Sequence, residues 1–154
     1  MEITDYTYSQ IMIKYNLIYT MSYEEQDLFV SIMNGNFDEN IDPDTITDLK
    51  IITFIGLYYQ YVNRDYVKMK KYYNIGIDKD NDESMFWMGC YYYDMEKNDE
   101  MIKKYLNMAT VKGHIKACYL LAYYYEDKEK NYEMAKAYYH NGDNMLHKPV
   151  SVYY

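Results

Sequence analysis

Between residues 49 and 147 the apolar positions recur at helical spacing, stop at a polar residue, and resume, and this whole arrangement repeats. Written as windows 49–81, 82–114 and 115–147, the chain aligns with itself at a period of 33 residues. Gly56, Gly89 and Ala122 share one slot, as do Tyr58, Tyr91 and Tyr124, then Tyr59, Tyr92 and Tyr125, then Tyr72, Tyr105 and Tyr138, and finally Gly76, Ala109 and Gly142. A fixed period in this range means stacked supersecondary units, each unable to bury its apolar face alone. The spacing predicts two helices per window, at 44–62 and 65–77, at 83–95 and 99–112, and at 115–127 and 132–141. Asp65, Asn98 and Asn131 fall at the break every time. A short Asx side chain there can accept from the orphan amides of a helix start, so the second helix of each pair begins at that slot. The small residue at 56, 89 and 122 sits mid-helix, where glycine costs roughly 1 kcal/mol against alanine. Close approach of the second helix, which carries its own small slot at 76, 109 and 142, would offset that cost.

Ahead of the repeats, Tyr8, Ile11, Met12, Tyr15, Ile18 and Tyr19 lie on one helical stripe within residues 1–21. A strand would put Met12 and Ile18 on the wrong face, so a helix is predicted. Ser22 with Glu25 is a capping box opening a second helix through Leu28, Phe29, Ile32 and Met33, which stops at Gly35. Residues 36–44 are polar and acidic, and Asp42 before Pro43 reads as an N-cap with proline in the first turn. The organisation expected is an N-terminal helical cap or adaptor at 1–46, three repeats over 47–143, and a tail at 144–154 that looks like a truncated fourth unit. The tail either folds back as a cap or pairs with another copy of the chain.

The windows resemble the Sel-one-like repeat, a branch of the tetratricopeptide-like helical repeats. That family's first helix carries Ala-x-x-x-Leu-Gly-x-x-Tyr, matched by Ala117, Leu121, Ala122 and Tyr125, by Ser84, Met88, Gly89 and Tyr92, and by Ile51, Ile55, Gly56 and Tyr59. Its second helix carries Ala-x-x-Tyr-Tyr-x-x-Ala, matched by Ala135, Tyr138, Tyr139 and Gly142, by Ile102, Tyr105, Leu106 and Ala109, and by Met69, Tyr72, Tyr73 and Gly76. Ile51, Met69 and Ile102 stand where the family has small residues, and the period is a few residues shorter than usual. The resemblance implies an all-α protein, a right-handed α-solenoid of antiparallel helix pairs with an N-terminal cap. It also implies a scaffold that binds another protein on a curved surface and has no catalytic residues of its own. Compact versions rich in Tyr-Tyr, Met and Asn look like those of giant DNA viruses of amoebae, which implies action inside a host cell.

Composition changes this picture little. The chain of 154 residues carries a formal net charge of −8 and holds 24 Tyr and 12 Met; its pI is near 4.8. Tyr, Asn, Lys, Ile and Met share AT-rich codons, so the usage reads first as a genome bias. Nucleic-acid binders concentrate Lys and Arg on a face, and the negative charge argues against one here. Cys90 and Cys118 make no Cys-x-x-Cys and read as reduced intracellular thiols. No apolar run approaches about 18 residues and no basic segment leads into one, so a soluble cytoplasmic protein with no membrane segment is expected. Asp78, Asp80 and Asp82 have the spacing that opens a calcium loop, but Glu83 and Gly89 stand where that loop needs Gly and Glu. Asp82 is instead expected to cap the next helix. His114, His140 and His147 share no metal-ligand spacing and read as surface residues. Lys70, Lys103 and Lys136 form a row at the same period, read as a solvated outer face.

Function is sought on the first helix of each pair. Taking Ile51, Ser84 and Ala117 as slot zero, slots zero, four, five and eight cluster on one side at about 100° per residue. The opposite side holds Thr53, Phe86 and Tyr119, then Phe54, Trp87 and Leu120, then Leu57, Cys90 and Tyr123. A solvated face should be charged there. This one is aromatic, so either it is a partner-binding groove anchored by Phe54, Phe86, Trp87, Tyr119 and Tyr123, or adjacent repeats and the N-terminal helices cover it. The expectation is a non-enzymatic protein-interaction scaffold that needs no cofactor or metal. The alternative is an RNA-binding helical repeat protein, which would place polar residues at those slots. An enzyme is disfavoured, because no Ser, Cys, His or carboxylate constellation appears.

Overall fold

A computed structural model describes residues 5–17 and 20–147. Ile18 and Tyr19 of the first stripe, and residues 148–154 of the tail, lie outside the described residues. Among those described, the protein is all-helical, with eight α-helices and no strand, and consecutive helices pack as neighbouring pairs. They are α1 (Tyr8–Lys14), α2 (Tyr23–Met33), α3 (Leu49–Leu57), α4 (Tyr66–Asp78), α5 (Asp82–Tyr91), α6 (Asp99–Val111), α7 (Ile115–Asp127) and α8 (Tyr132–Leu146). The chain divides into two compact units, Met1–Asp80 and Asn81–Tyr154. The first repeat therefore folds with the N-terminal helices, and the second and third form a unit of their own.

In the first unit α1 is shorter than the sequence predicts. A capping box opens it: Thr7 Oγ1 accepts from Gln10 N–H at 3.3 Å, and Gln10 Oε1 accepts from Thr7 N–H at 2.8 Å. It ends at Lys14 because Asn16 turns left-handed at φ +52°. Ser22 Oγ caps α2 by accepting from Glu25 N–H, while the Glu25 carboxylate reaches Lys50 Nζ of α3 at 2.6 Å. Edge-to-face rings run from Tyr8 to Phe29 to Phe54, joining α1, α2 and α3. The first repeat begins later than predicted. Asp42 and Pro43 open only a 3-10 turn over Pro43–Thr45; Ile46 is extended and buried, and Asp48 caps α3 by accepting from Lys50 N–H at 2.9 Å.

In all three repeats the predicted Asx slot starts the second helix. Asp65, Asn98 and Asn131 accept at 3.1 Å from the N–H groups of Lys68, Met101 and Met134. The first helices are capped at a second slot of the same period that the sequence reading missed, Asp48, Asn81 and His114. Asn81, not Asp82, caps α5, and His114 Nδ1 accepts from Ala117 N–H at 3.1 Å. Arg64, Lys97 and Lys130, each directly ahead of an Asx cap, are left-handed at φ +60°, +51° and +53°. A side chain costs about 1–2 kcal/mol in that region and glycine about 0.5–1 kcal/mol in lost chain entropy. Arg64→Gly, Lys97→Gly and Lys130→Gly are therefore expected to raise stability by about 0.5–1 kcal/mol each, read as an upward shift of the urea midpoint.

Inside each repeat the tyrosine slots form one motif. Tyr59 stacks on Tyr72, Tyr92 on Tyr105 and Tyr125 on Tyr138, with centroids 5.8, 5.7 and 5.5 Å apart. The preceding Tyr58, Tyr91 and Tyr124 each meet that first ring edge-on. The first two repeats also insert a π-helical turn, Tyr58–Val62 and Tyr92–Glu96, where α3 and α5 end. The small slot does what its position implies. A Cβ on Gly56 would come within 2.3 Å of the Tyr73 ring, and one on Gly89 within 2.6 Å of Leu106, each on the second helix of its own pair.

Candidate functional site

From the sequence, the far side of the first helices is either a binding face or a surface covered by its neighbours, and the structure distributes its residues unevenly. Phe54 is 1% exposed, with Phe29 of α2 packed against it, and its neighbours Thr53 and Leu57 are buried as well. Phe86 and Trp87 are also buried; their ring centroids are 5.0 Å apart, and the His114 imidazole stacks on Phe86 at 4.5 Å. Tyr119 is half-buried, and Tyr123 is 49% exposed. The helical projection presumed one buried side. On α3 every residue from Ile52 to Leu57 is buried, and on α5 every residue from Ser84 to Tyr91, so no outer face remains on either. Of the three first helices, α7 keeps an open one.

His114 is not the surface residue expected. It is buried, caps α7 with one ring nitrogen, and meets Glu83 Oε1 with the other at 2.9 Å. Glu83 also accepts from the Trp87 indole N–H at 3.2 Å, so one carboxylate ties the start of α5 to the start of α7. This cluster is structural. The lysine row divides as well: Lys103 pairs with Glu129, and Lys136 is exposed.

The open face of α7 continues onto α8. Tyr119 and Tyr123 are one helical turn apart on α7, and Tyr139 of α8 lies 6.4 Å from Tyr119, centroid to centroid. Tyr93, on the π-helical turn after α5, is 6.4 Å from Tyr123. Carboxylates hold the hydroxyls. Tyr119 donates to Asp143 Oδ1 at 2.6 Å and Tyr139 to Glu126 Oε2 at 2.7 Å. The Tyr93 hydroxyl is buried with no partner, and the Lys128 ammonium lies 6.0 Å above its ring. Gly142 makes room for this arrangement, since a Cβ there would meet the Tyr119 ring at 2.8 Å. Tyr139 and Asp143 escaped the sequence reading because it projected only the first helix of each pair, and Tyr93 and Glu126, both at slot nine of first helices, because it took only slots two, three and six. Projecting α8 at the same angle would have put Tyr139 and Asp143 one turn apart on a shared face.

A subset of the phenols titrates late. Burial pushes Tyr59 and Tyr93 up to about 12, and the bond to Glu126 followed by burial does the same for Tyr139. Burial raises Tyr124 too. An unfolded phenol ionises near 10. Between those values the unfolded chain releases protons that the folded chain keeps, so the stability these groups confer is present below about pH 10 and lost from there to about pH 12. A spectroscopic titration should accordingly show a late wave of phenolate absorbance in the folded chain that is missing in urea.

The first unit holds a separate cavity of about 300 Å³ lined by Asp5, Tyr6, Lys14, Tyr15, Met33, Asn34, Tyr58 and Val62. Lys14 Nζ donates to the Tyr6 hydroxyl at 2.8 Å there, and that bond holds the ammonium above its usual range. Among the described residues no group of three or more His, Cys, Asp or Glu is arranged to hold a metal ion, and no helix is long and apolar enough to cross a membrane. The chain matches no family model, no curated protein and no solved structure.

Proposed function

We propose that the chain is a non-enzymatic interaction module of the Sel-one-like kind, which holds a partner protein on the tyrosine surface of α7 and α8. In this reading the helix pairs are antiparallel and continue one right-handed solenoid, capped by the N-terminal helices. Support comes from the recurrence, at one period, of both capping slots, the left-handed residue ahead of the Asx cap, and the stacked tyrosine pair. The observation that carries the function is the contrast among the three first helices. The aromatic slots are buried on α3 and α5 and accessible on α7, where Tyr123 is 49% exposed beside Tyr119 and Tyr139. Rigid aromatic rings with polar ends are the side chains that most often anchor protein interfaces. The codon-biased composition supports a viral origin and action in the host-cell cytoplasm. Glu126, Asp127 and Asp143 around the rings favour a protein over a phosphate backbone.

Affinity capture from host-cell lysate tests this reading, comparing wild type with Tyr123→Ala. The variant keeps its fold, because surface truncations shift stability by only about 0.5 kcal/mol. A protein retained by wild type and lost by the variant is the expected result. Identical capture by both would remove the α7 face as the site.

A further inference from the structure

Building on the interaction-module reading, we propose that the occupant of this surface is a lysine- or arginine-bearing segment of the partner, whose cationic head settles on the rings of Tyr123, Tyr119 and Tyr139 between Glu126 and Asp143. The face of a tyrosine ring attracts a cation within about 6 Å of its centroid, more strongly as water is excluded. Two features raise that attraction here. Tyr119 and Tyr139 donate their protons to carboxylates at 2.6 and 2.7 Å, which leaves more electron density on each ring. The same carboxylates supply the negative charge that an arriving ammonium or guanidinium needs at the ring edge.

This protein already seats its own lysines in that manner. Lys128 Nζ lies 6.0 Å over Tyr93 and 3.9 Å from Asp127. Lys103 lies 5.8 Å over Tyr124 and 5.5 Å over Tyr125 while pairing with Glu129. Lys14 lies 4.2 Å over Tyr6. At Lys128 and Lys103 ring, carboxylate and ammonium thus occur together. At Tyr119, Tyr123 and Tyr139 the rings and carboxylates are in place, and among the described residues no lysine or arginine lies over them. The chain's net charge of −8 draws a basic segment toward the site from a distance.

The test is fluorescence anisotropy of the full chain titrated with a labelled peptide of alternating Lys and Gly, beside counterparts carrying Gln or Glu in place of Lys. Saturable binding of the Lys peptide alone is expected. Tyr123→Ala should weaken it roughly fivefold, as should Glu126→Gln combined with Asp143→Asn, while Tyr123→Phe, which keeps the ring, should stay near wild type. Each variant is first matched to wild type in helix content and melting temperature. Equal affinity across all variants would show diffuse charge attraction and overturn the proposal; so would absence of binding, or a preference for the Gln peptide, for single-stranded RNA or for a second copy of the chain. A captured protein that depends on Tyr123 but is not displaced by the Lys peptide would overturn the cationic occupant and leave the interaction reading standing.

Discussion

Trp87→Ala is expected to cost about 3–5 kcal/mol, a large share of the roughly 5–15 kcal/mol that holds a domain together, because it empties a large buried site. The indole is 5% exposed, packs against Phe86, and gives its N–H to Glu83. Its removal opens a cavity beside Phe86 and costs Glu83 the bond from the indole, while His114 still meets that carboxylate. Urea unfolding followed by far-ultraviolet circular dichroism measures the loss. Tyr123→Ala, on the open face, should move the midpoint little in the same experiment, by about 0.5 kcal/mol or less. The pair separates two residues that share one stripe in the sequence. A Trp87→Ala variant as stable as wild type would mean that the indole bears no packing load, and its burial would then need another explanation.

Gly56→Ala is the second large effect, and its sign opposes helix propensity. Alanine gains about 1 kcal/mol over glycine inside a helix. Here the added methyl would sit 2.3 Å from Cε1 and 2.6 Å from Cδ1 of Tyr73. That ring cannot yield cheaply, being fully buried with its hydroxyl donating to Gln60 Oε1 at 2.6 Å. Overpacking of this kind costs about 1–3 kcal/mol, and separating the Tyr73–Gln60 pair adds about 1–3 kcal/mol more. A net loss of about 1–5 kcal/mol is expected, checked by thermal or urea unfolding. Gly89→Ala should follow it, since Leu106 lies 2.6 Å away and its backbone nitrogen 3.4 Å. The third repeat already carries Ala122 at this slot, and Tyr139, at the slot of Tyr73, is half-buried and bonded to Glu126. Ala122→Gly should therefore lose stability as well.

Much of the fold was legible because local rules and the period agreed. The Asx caps at 65, 98 and 131 could be read directly, since residue type, spacing and the break in the apolar pattern coincided. The other capping slot recurs just as strictly but is occupied by Asp48, Asn81 and His114, and three residue types hide a period that one would reveal. The predicted start at residue 44 failed because Asp42–Pro43 is a sound opening for a 3-10 turn as well as for an α-helix, and Ile46 is drawn into the core with its carbonyl bound by Lys79 Nζ at 3.0 Å. The π-helical turns left no trace, since one extra residue per turn does not alter composition. For the candidate site, the sequence named a stripe and could not rank its members by exposure. Exposure along a stripe depends on which neighbours pack against each helix, and the short α2 covers Phe54 where nothing in the pattern at 49–57 requires it. Tyr119 and Tyr123 were on the stripe; Asp143, which accepts from Tyr119, and Tyr139 were on another helix.

Within each unit the helices of a repeat are joined by very short connections, residues 63–65, 97–98 and 128–131, and each ends on a residue fixed as a cap. Short closures cost little entropy, and contacts between chain neighbours form before distant ones. A helix pair can therefore begin to form once its own 33 residues have left the ribosome, and it becomes stable when a neighbouring pair covers its remaining apolar face. Synthesis of the protein then proceeds as a series of small, early foldings in which tyrosine-rich surface is covered almost as quickly as it emerges.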